Sequence, residues 1–532
     1  MVTRRAHHLR RALVALAALA LAGVVLAGCG GSDKSAAAAG AAGTDGRAAL
    51  AYPASTVAFA DANIDQSSDA WKRLLALGAK FPSWPKLVTQ FDESANQATD
   101  GGPTLAQVRS WLGSEAAVGV LDVPTDGKDP QVLGFAEVSD RSGLEGALKK
   151  EKDVKPAGTH GGFDLFQGTA GTGGGAAVVA VSDDTALVSN TQAVVEAAID
   201  RLASSSDRLA DSSAFKDTMA TLPSDNIVVG YAPGSTLQKL VTLSQTRGPE
   251  ATRGTVPQAQ VNQISSKLAG IRSLGFSLNA TDAGLRLRGT TLLNGDAKDV
   301  PQPFSPDLLE RVPGNSWFAS SFGGLDANIK QAADEALKSN PGAQKQVSQV
   351  EAVLGVKLDD LYALLSGDQA LFAGPGAPLS AGLILHPADA AKGAATLRAL
   401  TKLLATQGIA VTNTADGQQA AIQGFIARWR AVDDVIGIGS DAAVGDKATD
   451  SIVGSDKYKR VLAEDGVDSG AKTLGLAYVD VPSLVNLAAA FGSFNSAGDK
   501  ETLDNLRHIG GVLFWAGRDG DTVTSDVFVE ST

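Results

Sequence analysis

The chain has 532 residues, 44% of them hydrophobic and 20% charged, with a formal net charge of −12. That balance belongs to a globular protein, and the acidic excess argues against broad binding of nucleic acid or anionic headgroups. A single cysteine, Cys29, leaves no disulfide and no cysteine–zinc site, so the fold rests on its core alone. The length exceeds one ordinary core and predicts at least two domains.

The N-terminus opens with Arg4, Arg5, Arg10 and Arg11, followed by an apolar stretch from Ala12 to Ala27 broken only by Gly23. A spanning helix needs about 18 or more apolar residues, so this stretch is short for a membrane crossing. A basic head, a short apolar run and small residues at its end describe an export signal. The run closes on Leu26-Ala27-Gly28-Cys29, which resembles the lipobox of bacterial lipoproteins. Small side chains there admit a peptidase, and the cysteine sulfur takes the lipid and becomes the new N-terminus. Stable anchoring takes more than one acyl chain. Residues 1–28 are therefore expected to be a signal peptide, and their removal moves the formal charge from −12 to −16. The expected partner of Cys29 is the membrane, on its extracytoplasmic face.

Residues 29–50 are Gly, Ala and Ser with a few charges, and are expected to form a flexible tether reaching about 25 Å in the root mean square. Folding is expected to begin near Tyr52.

Beyond the tether the chain reads as one plan written twice. The segment 52–61, "YPASTVAFAD", matches 312–321, "VPGNSWFASS", each a proline before an alternating strand. Five further pairs follow in the same order, between about 237 and 260 residues apart. In 274–293, Phe276, Leu278, Leu285 and Leu287 alternate around a turn, and 512–530 repeats this hairpin with its turn at Asp519-Gly520-Asp521. The expected class is α+β: two tandem homologous halves, 51–296 and 312–532, each a mainly antiparallel sheet of seven or more strands with helices on one face. Residues 297–311, with three prolines, form the joint. Val261, Ile264, Leu268 and Ile271 fall on one side of an expected helix. Two separate cores and one continuous sheet both fit this pattern.

The motifs that could carry chemistry are incomplete. Ser213-Ala214-Phe215-Lys216 and Ser224-Asp225-Asn226 have the S-x-x-K and S-D-N forms of penicillin-recognising acylases. They stand too close together, the third motif is missing (Lys472-Thr473-Leu474-Gly475 is the nearest approach), and Asp456 takes the serine's place in the second half. A capped surface helix accounts for them. His160, His386 and His508 lie far apart with no ligand-spaced neighbour. Asp61, Asn63 and Asp65 have calcium-loop spacing, but Gln66 and Lys72 stand where glycine and glutamate are needed. The glycine-rich 168–177 lacks G-K-[ST] and reads as a hairpin tip. No metal or cofactor is expected. Trp71, Phe81 and Trp84, around two prolines, are the one aromatic group with a possible binding role, set against ordinary packing. Arg428 and Arg430 share one strand face, with Trp429 turned the other way.

The segment 52–84, a proline-led strand, a polar turn and a helix ending in a Phe-Pro step, resembles the bacterial family known as domain of unknown function three-three-five-two. Similar material recurs from Val312. The resemblance covers 50–532 and implies an exported or membrane-anchored protein. That family has no established activity, so no catalytic residue carries over. The sequence thus points to a membrane-anchored extracytoplasmic lipoprotein, a non-catalytic binding or scaffold protein of the cell envelope, whose partner is an envelope protein or an apolar ligand. An envelope-polymer hydrolase and a carrier of an apolar ligand are the alternatives.

Overall fold

The computed structural model describes residues 46–532 except 100–102, 125–129, 152, 171–174, 248–264, 267, 296–301, 327–328, 331–332, 335–336, 338–340, 377–378, 423–424, 442, 469–470 and 491–496. The leader, the lipobox residues Leu26, Ala27, Gly28 and Cys29, and most of the tether lie outside the described residues. The chain divides into two units, Met1–Asp299 with Gly520–Thr524 and Val300–Asp519 with Ser525–Thr532. The division falls inside the segment expected to be the joint.

Unit one begins with a 3-10 turn, Ala48–Leu50, and continues β1 (Ala58–Asn63), α1 (Asp69–Ala79), α2 (Trp84–Thr99), α3 (Leu105–Trp111), β2 (Leu112–Asp122), β3 (Gln131–Val138), α4 (Arg141–Lys150), β4 (Lys155–His160), β5 (Phe163–Ala170), β6 (Gly175–Val181), β7 (Thr185–Ser189), α5 (Gln192–Ala203), α6 (Ser213–Met219), β8 (Val228–Pro233), α7 (Gly234–Arg247), β9 (Ile271–Ala280) and β10 (Gly284–Leu293). Its strands pair antiparallel in the order β4-β5-β6-β7-β3-β2-β1-β8-β9-β10. Helix starts follow local chemistry. Ser68 caps α1, Thr191 caps α5, and Thr104 with Gln107 forms a capping box on α3.

Unit two contains β11 (Phe318–Gly323), α8 (Pro341–Leu354), α9 (Leu358–Leu364), β12 (Asp368–Pro375), β13 (Leu379–His386), α10 (Ala390–Thr406), β14 (Val411–Thr414), β15 (Gly417–Ile422), β16 (Phe425–Val432), β17 (Val435–Gly439), α11 (Asp456–Asp465), β18 (Gly475–Asp480), α12 (Val481–Ala490), α13 (Ala497–Leu506), β19 (Ile509–Asp519) and most of β20 (Thr522–Ser531). Its order is β14-β15-β16-β17-β13-β12-β11-β18-β19-β20, again antiparallel where registers are defined. The molecule is an α+β protein with antiparallel sheet in both units.

Several expectations need correction. Helices cover both faces of each sheet, not one. In β6, Val178 and Ala180 pack with Val195 and Ile199 of α5, whereas Val179 and Val181 pack with Leu144 and Leu148 of α4. Successive side chains of a strand point to opposite faces, so α4 and α5 lie on opposite sides. All five residues of β7 are buried, as a doubly covered strand requires. In unit two, Leu385 and Ile436 meet Leu364 of α9 and Leu397 of α10 on one face, while on the other Tyr478 meets Tyr458 of α11 edge-to-face, centroids 5.4 Å apart.

The last residues of the segment expected to be a tether are folded. Ala48, Ala49 and Ala51 are buried, so 46–50 belong to the fold. Part of the joint is also structured. Phe304 bridges to Thr473, and Leu308 and Leu309 are buried in the 3-10 turn Asp307–Arg311. Each buried leucine stabilises unit two by about 1.5–3 kcal/mol. The helix expected through Val261 and Ile264 lies largely outside the described residues, and Ile271, placed on its face, starts β9. No helix among the described residues is long and apolar enough to cross a membrane.

Candidate functional site

Two polar features of unit one stand out: a buried carboxyl pair and an open cavity. The period of β1 sends Phe59, Asp61 and Asn63 to one face, and Asn63 registers with Glu115 of β2. Asp61 and Glu115 are both buried and share a hydrogen bond. Glu115 also accepts from the backbone N–H groups of Arg47, at 2.9 Å, and Ala48, at 3.0 Å. Burial pushes the Glu115 carboxyl above its ordinary value, opposed by the two N–H donors. Gly46 lies against both carboxyls, where a Cβ would strike Glu115. Tyr52 donates its hydroxyl to Leu133 O at 3.0 Å and is itself raised, first by burial and then by the acids. A carboxyl pair sharing a proton has the chemistry of a general acid–base couple, but a catalytic group must reach its substrate within about 3 Å. This pair is enclosed by chain segments and holds them; it has a structural role.

The cavity, about 510 Å³, opens where the ends of β2 and β3 meet α5. Ala193, Val194, Ala197 and Arg201 recur at helical spacing, so one face of α5 forms a wall. Asp122 and Gln131 are paired at the strand ends. Lys239 of α7 and Asp207 in the turn after α5 complete the charged lining. Its volume falls in the range of small-molecule sites.

The residues singled out from sequence are not brought together. Trp71 is 1% exposed and donates its indole N–H to Asn63 O at 2.6 Å, so it is a core residue with no surface to offer a ligand. Trp84 lies on Gly78 of α1, where its ring occupies the space a Cβ would need. Phe81 is half-buried in the turn between α1 and α2, its carbonyl accepting from Trp84 N at 3.0 Å. Trp71 joins α1 to the sheet, and Trp84 packs α2 on α1. Ser213 is exposed at the start of α6, and Lys216 faces Asp211 at 3.6 Å. Asp225 pairs with Arg73, and the Asn226 amide donates to Pro223 O. No serine–lysine contact forms among these groups. His160 meets Asp200 at 2.8 Å and His386 meets Asp434 at 3.2 Å, on separate units. Asp61 turns inward to Glu115 while Asn63 and Asp65 organise the turn before α1. No cluster of three or more metal-ligating side chains occurs among the described residues. In β16, Arg430 pairs with Asp446, Arg428 donates to Ser440 O, and Trp429 is buried against Thr401 and Gln418.

Sequence reasoning missed the cavity. Its polar residues come from segments spread between Pro53 and Lys239, with no local spacing to reveal them. Glu115 carried no signal either, because its partners lie 67 and 68 residues away.

Fold and site together define an antiparallel α+β protein with a polar cavity in its first unit. The chain belongs to the family described as "Protein of unknown function (DUF3352)", whose model matches residues 14–529. No curated protein matches it. Two solved structures are similar, crystal forms IV and III of TP0453, at 7% and 8% identity. They cover 44% and 48% of this chain and 76% and 81% of their own, with TM-scores of 0.25 and 0.26.

Proposed function

We propose that this protein is a lipid-anchored extracytoplasmic lipoprotein whose body is a non-catalytic binding or scaffold module of the cell envelope, built from a duplicated α+β unit. The observation that carries the anchor is the basic, apolar leader closing on Leu26-Ala27-Gly28-Cys29. The family match beginning at residue 14, inside the apolar stretch, supports treating the leader as part of the family pattern. After cleavage and lipidation, residues 30–45 separate the lipid from the folded body. A flexible tether of that length reaches about 20–25 Å, enough to clear the headgroups.

The duplication is supported by the strand orders, which coincide position for position when β1–β10 are set against β11–β20. It is also supported by side chains. Phe215 of α6 meets Tyr231 of β8 edge-to-face at 5.2 Å, and Tyr458 of α11 meets Tyr478 of β18 in the same way at 5.4 Å. The carboxyl pair is not repeated, since Ser321 stands where Asp61 does.

In the test, wild type and Cys29→Ser are expressed in a bacterial host and fractionated. The wild type is expected in the membrane fraction and the variant in the soluble one; unchanged fractionation defeats the anchor. Failure of both penicillin and fluorophosphonate probes to label the protein is expected, and labelling lost in Ser213→Ala favours the hydrolase instead. One observation favours the apolar-carrier reading: Phe276 and Phe514 hold corresponding positions on β9 and β19 and are 40% and 46% exposed. A co-purifying lipid in native mass spectrometry supports that reading, and a clean apo mass counts against it.

A further inference from the structure

We infer that the cavity of unit one is a binding site for a small zwitterion of the amino-acid or short-peptide class. The inference rests on the reading of the body as a binding module and names its ligand. The cavity holds hydrogen-bonding capacity left unused. The Arg201 side chain is 19% exposed, and its Nη1 is buried with no hydrogen-bond partner. Its Nε stands 3.6 Å from Asp207 Oδ2, too long for a good hydrogen bond. The Asp122, Gln131 and Lys239 side chains line the same space and have no hydrogen bond or ion pair to any described residue. Nη1 is closed off from the cavity, but Arg201 lines it with the rest of its side chain, held only by that long ion pair, and a bound carboxylate is the group that matches the guanidinium fork.

Both signs of charge are present, Arg201 and Lys239 against Asp122 and Asp207. Arg201 and Asp207 already face each other as an ion pair, so a simple anion or cation would leave Asp122 or Lys239 unmatched, whereas a zwitterion serves both. The α5 N-terminus at Thr191 adds positive potential for a carboxylate. None of the described lining residues is aromatic, which disfavours sugars and nucleobases that bind by stacking. Leu121, Val194 and Pro53 supply an apolar wall for a small side chain.

The test uses the full-length chain in detergent with the twenty free amino acids, alanylalanine, and N-acetyl-alanylalanine amide as a blocked control, read by thermal shift and isothermal titration calorimetry. At least one free zwitterion is expected to raise the melting temperature and bind saturably, with the blocked dipeptide inert. Arg201→Met and Asp122→Asn are each expected to weaken that binding roughly tenfold or more. Lys239→Met, on the exposed side of α7, provides a variant with little bearing on folding and is expected to act in the same direction. No binding by any free zwitterion, equal binding by the blocked dipeptide, or unchanged affinity in all three variants would overturn the assignment. Because fractionation of Cys29→Ser reads anchoring alone, the two readings fail separately.

Discussion

Glu115 holds Arg47 across 68 residues of sequence: its Oε2 accepts the Arg47 backbone N–H at 2.9 Å, while Oε1 takes that of Ala48. This carboxylate ties Arg47 and Ala48 to β2. Glu115→Ala leaves two N–H groups without their acceptor, and is expected to lower stability by about 2–4 kcal/mol. Glu115→Gln, which keeps one acceptor oxygen, is expected to lose less. Urea unfolding checks the order, and trypsin checks the mechanism, because cleavage after Arg47 should accelerate most in Glu115→Ala. Equal midpoints for all three proteins would detach the turn from Glu115.

The same residue sets a pH dependence. Burial raises the Glu115 pKa in the folded state above its ordinary value. Between those two values the native state binds more protons than the unfolded one, so stability declines as pH rises through the window and then levels. Glu115→Gln is expected to flatten that decline. Unfolding free energies measured from pH 4 to pH 8 (roughly the span over which a raised carboxyl titrates) decide it, and parallel profiles for the two proteins would contradict it.

Phe215 is fully buried and touches Phe59 at 5.8 Å and Tyr231 at 5.2 Å, both edge-to-face. Truncation to alanine is expected to cost about 3–5 kcal/mol through lost burial and the cavity left behind. A loss below about 1 kcal/mol in calorimetry would place Phe215 outside a well-packed core.

Trp71 offers a contrast between packing and binding. Trp71→Phe removes the indole donor to Asn63 O and is expected to cost about 1–3 kcal/mol. The expected affinity of any zwitterion bound in the unit-one cavity is unchanged, because Trp71 does not line it. A selective loss of binding with stability intact would return Trp71 to the binding role its sequence setting raised.

Part of the fold was legible because hairpins are local patterns. Leu278 and Leu285 alternate on either side of a short turn, and they form β9 and β10 as expected. The covering of both faces was not legible. A run such as Val178–Val181 reads only as buried, and nothing within it names which helix lies on which side. Ala48 and Ala49 look like tether because alanine has no pattern of its own, and their place is set by a glutamate far along the chain. The cavity was invisible for the same reason: Asp122, Arg201 and Lys239 converge only after the sheet has formed.

Anchoring depends on the chemistry of Cys29. Mass spectrometry of the N-terminal peptide, taken from protein purified out of membranes, is expected to show residues 1–28 absent and the cysteine sulfur carrying a diacylglyceryl group. An intact leader, or a bare thiol at Cys29, would contradict it.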